Sequence, residues 1–198
     1  MCLNDDNLPA FSRGSLEETN SHEVYPGHHT HFVKTASTHL PYTFRLNLPM
    51  TRCLIEGVAH RSEYLLIPYY KDPIAKLEAA RRGWYCATRV KAEVDLNYYR
   101  KPVQEIIDNY VNNLNCTEYS ANGQMYAHLM LPADAVSYYT GMRVLEDLYP
   151  TTGLGMKDFT DETFNYGNVS MDTIRDIFSL TAEQKSALKL FQTKPFTA

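Results

Sequence analysis

A chain of 198 residues, 44% apolar and 21% charged, is long enough to bury one core, and the length favours a single domain over two. A formal net charge of -4 and a sequence pI of about 6.0, with no basic patch, argue against a nucleic-acid partner. No apolar run approaches the ~20 residues that span a bilayer, and the polar start Met1-Cys2-Leu3-Asn4-Asp5-Asp6 lacks the shape of a signal peptide. No membrane partner is expected, and the chain as written reads as cytoplasmic, although a longer precursor could be secreted. Cys2, Cys53, Cys86 and Cys116 stand far apart with no C-x-x-C spacing and read as reduced thiols. The 15 tyrosines suit either a polar cleft or amphipathic packing at helix surfaces.

Capping grammar predicts a mainly helical chain with little or no sheet. Ser15-Leu16-Glu17-Glu18 reads as a capping box opening a helix that runs into His22 and Glu23. Pro26-Gly27 predicts a kink or bulge, after which the helix resumes through His31 and Phe32. Residues Tyr42 to Pro49 read as an irregular connection, and a second helix is expected from about Thr51 to Ile67. Asp72-Pro73 is an N-cap and first-turn pair for a long helix to about Tyr98, and Pro102 starts another to about Asn113. Asn115 to Gly123 reads as loop, Pro132 opens a helix through Leu148, and Pro150 to Gly155 is a turn cluster. Shorter helices are expected near Lys157 to Tyr166, Met171 to Phe178 and Ala182 to Phe191.

Five histidines, His22, His28, His29, His31 and His39, crowd the start of the chain, with Glu23 directly after the first. The spacing is not H-E-x-x-H, because Pro26 stands where a second ligand would lie one helical turn on. On a straight helix His22 and His29 share a face but lie roughly 10 Å apart along the axis, too far for one zinc with bonds of about 2 Å. A kink at Pro26-Gly27 would redirect His28, so His22 and His28 are the candidate metal ligands with His29 as the fallback. Glu23 is the candidate general base. Glu56, His60 and Glu63 share one face of the second helix, making Glu56 the candidate third ligand, with His60 and Glu63 as orienting groups. The plain alternative for that face is a solvent-exposed acidic helix, and for the histidines, packing or capping.

The run His22-Glu23-Val24-Tyr25-Pro26-Gly27-His28-His29, followed by Glu56-Gly57-Val58-Ala59 and Ser62-Glu63, resembles the bacterial family called domain of unknown function 885, with its H-E-x-x-P-G-H-H and E-G-W-A-x-x-x-E patterns. Pro132 to Gly141 is similar to the family's P-G-Q-A-L-S-Y-x-x-G, and Asp158 to Asp161 and Gly167 to Ser170 to its F-H-D and G-x-x-P stretches. The resemblance implies a gluzincin-like zinc metallopeptidase: His22, His28 and Glu56 on Zn2+, Glu23 as general base, Tyr138 as a cleft residue near the scissile carbonyl, and a peptide as substrate. Departures are Val58 for the family's Trp, Asp134 and His31 for Gln, and Asn97 for His.

Family members are two to three times longer, so the resemblance also implies a catalytic half-domain over residues 1–198, truncated on its N-terminal side. An apolar face would then be left for the missing half or for a second copy. The alternative to a peptidase is a metal-binding but catalytically incomplete fragment or interaction module. His39 and His128 read as surface or capping histidines. Arg81-Arg82 and Arg89 to Lys91 read as solvated faces, with anchoring of a substrate carboxylate by Arg89 as the lesser alternative. Asp158, Asp161 and Glu162 suit a helix dipole better than a second metal.

Overall fold

The computed structural model describes residues 12–38 and 40–193; Cys2, the stretch Met1 to Asn4 and His39 lie outside the described residues. The chain is mainly α, and no strand occurs among the described residues. In chain order the helices are α1 (Arg13–Glu23), α2 (His28–Ser37), α3 (Arg52–Leu65), α4 (Pro73–Asn97), α5 (Val103–Leu114), α6 (Glu118–Met130), α7 (Ser137–Leu148), α8 (Met156–Asn165), α9 (Met171–Ser179) and α10 (Ala182–Thr193). Among the described residues no helix is long and apolar enough to cross a membrane.

Helix α1 starts one turn earlier than its Ser15 signal suggests. Ser12 is the N-cap, its hydroxyl accepting from Ser15 N–H at 2.9 Å while Ser15 Oγ accepts from Ser12 N–H at 2.9 Å. Ser15 therefore closes the box rather than opening it. Asp72 caps α4 as its sequence predicts, accepting from Ile74 N–H at 2.9 Å. The expected loop from Asn115 to Gly123 is only three residues long. Asn115 turns the chain with a left-handed backbone (φ 51°), Thr117 caps α6 by accepting from Ser120 N–H, and the helix runs on through Gly123. The roughly 1 kcal/mol cost of a helical glycine is offset there by burial of Ala121, Met125 and His128. Before α7, Asp134–Val136 form a 3-10 turn rather than the first turn of an α-helix.

Helix α3 is the axis of the molecule. Every residue from Leu54 to Glu63 is buried, so the helix is packed on all sides despite carrying Glu56, His60, Arg61 and Glu63. Its tightest neighbour is α7. A Cβ built on Gly141 would lie 1.9 Å from the Cys53 carbonyl oxygen, and one on Gly57 would lie 2.5 Å from Gly141 C. The two backbones touch at this crossing, which only glycine permits.

Most apolar packing lies in two clusters, beside a smaller third one of Tyr70, Ala75 and Ala79. Leu54 and Val58 of α3 pack with Leu145 of α7 and with Phe159, Phe164, Val169 and Ile174. Ala92 and Leu96 of α4 pack with Ile106, Ile107 and Tyr110 of α5 and with Ala121 and Met125 of α6. Helix α1 lies against both α3 and α4, and α2 against α3 and α8. The cysteines Cys53, Cys86 and Cys116 are free thiols.

Candidate metal centre

The turn between α1 and α2 explains how His28 comes to face His22. Helix α1 stops at Glu23, the Tyr25-Pro26 peptide is cis, and α2 starts afresh at His28. The amides of Val24 and Tyr25 both bond back to the Asn20 carbonyl, and His31 N–H bonds to the Gly27 carbonyl. Gly27 is packed so closely on the end of α1 that a Cβ there would lie 1.8 Å from the His22 carbonyl oxygen. The chain thus breaks into two helices rather than kinking one. The His22 and His28 rings meet edge to face with centroids 4.8 Å apart.

Glu56 reaches both rings from α3. Its Oε2 lies 3.3 Å from His28 Nε2 and 3.7 Å from His22 Nε2, and the three ligand-type atoms fall within 4.8 Å of one another. Neighbouring ligands on a tetrahedral ion with bonds of about 2.1 Å sit about 3.4 Å apart. The two contacts to Glu56 bracket that edge. Glu56 Oε2 and His28 Nδ1 are buried with no hydrogen-bond partner. Buried polar atoms are seldom left so. The donor set, two imidazoles and a carboxylate converging on one point, fits a cation, and His22, His28 and Glu56 form a group able to bind a metal. His29 is exposed and does not join it.

The surroundings fix the donors. Glu63 Oε1 lies 2.6 Å from His22 Nδ1 and Glu63 Oε2 lies 2.9 Å from His60 Nδ1, all three side chains being buried. With Nδ1–H donating to Glu63, Nε2 of His22 is left facing Glu56. Ser21 on α1 hydrogen-bonds the Tyr70 hydroxyl at 2.6 Å, and Tyr70 donates to the Glu63 carbonyl at 3.0 Å, which ties α1 to the end of α3. Burial alone would lower His22, but Glu56 and Glu63 outweigh it and push the ring up to about 9. Burial raises both carboxylates, yet His22 and His28 hold Glu56 at about 2, and His22 and His60 hold Glu63 at about 2. His31 is the opposite case. Fully buried between Phe32 and Phe164 with neither ring nitrogen partnered, it is lowered to about 4 by burial and then by His28.

Tyr138 stacks on His22 with ring centroids 6.0 Å apart and planes 16° apart. Burial first, then the Glu56 charge, raises its hydroxyl to about 12, so it is a neutral donor near pH 7. Glu23 follows His22 directly but is exposed, and among the described residues its carboxylate has no partner.

The sequence reading missed Arg52. One turn before Glu56, its Nη1 lies 3.7 Å from Glu56 Oε1 while Nε and Nη2 hold Asp134 Oδ1 at 2.8 and 2.7 Å. The i, i+4 spacing was the available signal. His128 is not a surface residue: it lies on the buried face of α6, between Tyr110 (2.8 Å to Nε2) and Glu93. Arg82 is not merely solvated, since its Nε lies 3.3 Å from the buried Glu18 carboxylate.

The sequence pattern of the family described as "Bacterial protein of unknown function (DUF885)" matches residues 1–177. No curated protein matches the chain. Among solved structures, the fold is similar to that of a protein described as a lipoprotein from Colwellia psychrerythraea, with a TM-score of 0.76 and 22% identity, covering 83% of this chain and 29% of that one. The chain thus spans less than a third of that protein's length, and the likeness is one of fold.

Proposed function

The chain belongs to the DUF885 family of bacterial proteins of unknown function, and from that premise we propose that it is a zinc-dependent peptidase whose metal ligands are His22, His28 and Glu56. The observation that carries the reading is the convergence of these three donors, with Glu56 Oε2 buried between two imidazoles and making no hydrogen bond. Two histidines and one carboxylate suit zinc and leave a further position open, as a hydrolytic site requires. Bound Zn2+ would supply Lewis acidity, polarising a peptide carbonyl and lowering the pKa of water.

The protein's own groups supply the rest. Glu63 holds His22 in one tautomer, with Nε2 directed at the ligand position. Glu23 takes the proton of the attacking water and returns it to the leaving amine. The neutral Tyr138 hydroxyl donates toward the carbonyl oxygen as negative charge develops there. Arg52 lies beside Glu56 Oε1 and leaves Oε2 to the metal.

Metal analysis of the purified chain against His22→Ala tests the site: about one zinc per chain, lost in the variant, is expected. Glu23→Gln should keep the zinc and lose peptide cleavage by a factor of at least about 100. Retained turnover in that variant would remove Glu23 from its role.

A second reading is favoured by the exposed, unpartnered Glu23 and by exposed apolar side chains such as Leu77, Trp84, Met130 and Leu131. In it the chain binds metal but hydrolyses only once a further chain segment or a second copy covers the apolar surface and positions Glu23. A zinc-loaded monomer, by gel filtration, that cleaves peptides would exclude it.

A further inference from the structure

Arg89 of α4 stands apart from the other arginines that are not exposed. Arg52, Arg61 and Arg82 each reach a carboxylate: Asp134, Glu146 and Glu18. Arg89 reaches none among the described residues, and its Nε is buried without a hydrogen-bond partner. The acid one turn on, Glu93, is already committed. Its Oε1 accepts from Ala133 N–H at 2.7 Å and from Asn97 at 2.7 Å, and its Oε2 pairs with His128. The Arg89 guanidinium instead lies over two aromatic rings, 4.8 Å from the Tyr138 centroid and 5.7 Å from that of Tyr85.

Tyr138 is also the ring stacked on His22. These separations of 4.8 and 6.0 Å put the guanidinium within roughly 11 Å of His22, the reach of about three residues of extended chain at about 3.3 Å each. A permanently charged, planar fork held against aromatic walls matches a carboxylate in two parallel hydrogen bonds. Leaving such a cation half buried with no carboxylate beside it costs free energy that a bound anion would recover.

We propose that Arg89 binds a carboxylate of the substrate, so that the site takes peptides bearing a carboxylate within a few residues of the scissile bond. The inference deepens the peptidase reading and rests on it for the identity of the substrate. The carboxylate could be a free C-terminus or an acidic side chain, and the geometry recognises either.

The test is binding by the full chain in chelator, read from backbone amide shifts in NMR, so that it requires neither metal nor turnover and reads the Arg89 variants in the same way. Three probes are titrated: acetyl-Ala-Ala, its amide, and acetyl-Ala-Glu-amide. The free acid is expected to bind at least about 10-fold tighter than the amide, a preference lost in Arg89→Gln and partly kept in Arg89→Lys. If acetyl-Ala-Glu-amide follows the free acid, a side-chain carboxylate suffices; if it follows the amide, the C-terminal carboxylate is the one read. Equal binding of acid and amide, no saturable binding of any probe, or an undiminished preference in a folded Arg89→Gln chain would each overturn the proposal. Failure of zinc binding or of peptide cleavage with the acid preference intact would instead count against the peptidase reading.

Discussion

Glu63 holds His22 through Nδ1 at 2.6 Å, and the same carboxylate grips His60 with its other oxygen at 2.9 Å. One buried anion on α3 therefore sets the ring orientation of a metal-ligand candidate on α1. Glu63→Gln keeps the shape but supplies at most one acceptor for two donors. It should weaken zinc binding by about 10- to 100-fold, as removal of such supporting groups does. Competition with a calibrated chelator measures this, and an unchanged affinity would show that the pair does not orient His22.

Tyr138→Phe removes the hydroxyl while keeping the ring that stacks on His22. Zinc content and affinity should be unchanged, and kcat for peptide cleavage should fall by about 10- to 1000-fold with little effect on KM. A rise in KM at constant kcat would make Tyr138 a binding wall rather than a proton donor.

Gly141→Ala places a methyl group where the Cys53 carbonyl lies 1.9 Å from the new carbon, and backbone cannot step aside as a flexible side chain can. Helix α7 must move away from α3, at a cost of about 1 to 3 kcal/mol or more. The thermal midpoint should drop by several degrees, and zinc affinity with it, because Glu56 adjoins the crossing. Equal melting of the two proteins would mean that the contact is looser than described.

The metal-free chain should show a definite pH profile. Burial pulls His22 down, but Glu56 and Glu63 push it from its ordinary 6.5 up to about 9. Its stabilising contribution is thus complete below about pH 6.5 and lost as pH rises through 9. Glu56 and Glu63, held at about 2 by their histidine partners, contribute above about pH 4.5 and lose that contribution as pH falls through 2. His31, depressed to about 4 by burial, favours the fold above about pH 6.5 and turns against it as pH falls toward 4. Urea unfolding in chelator should therefore give His31→Phe a higher midpoint at pH 5.5 than at pH 3 or 9, with the wild type less favoured at pH 5.5. A His31→Phe midpoint that is equal at pH 5.5 and 9 would contradict the His22 assignment.

Much of the fold was legible because proline and hydroxyl caps mark helix ends in a local code. Asp72-Pro73 and Pro102 located α4 and α5 to within a residue or so. Gly123 misled, because a glycine inside a helix looks like a turn unless the burial of Ala121, Met125 and His128 is known. In the site, the shared face of Glu56, His60 and Glu63 followed from helical spacing, whereas their burial did not: an acidic face reads as solvated until α1 and α2 are seen to bring His22 and His28 onto it. The choice of His28 over His29 needed the break at Pro26-Gly27 in three dimensions. Arg89 was ambiguous for a related reason, since the engagement of Glu93 by Ala133 and His128 depends on residues far along the chain.

The break between α1 and α2 also bears on assembly. His22 and His28 are only six residues apart in the chain, so closing the loop between them costs little entropy even before the helices pack. An extended chain could already chelate a cation with these two imidazoles, and Glu56 would join only when α3 docks. Ion uptake and collapse of the first three helices would then be linked steps. Zinc would raise the melting temperature by less than its affinity for the finished site suggests, because the unfolded chain competes for it.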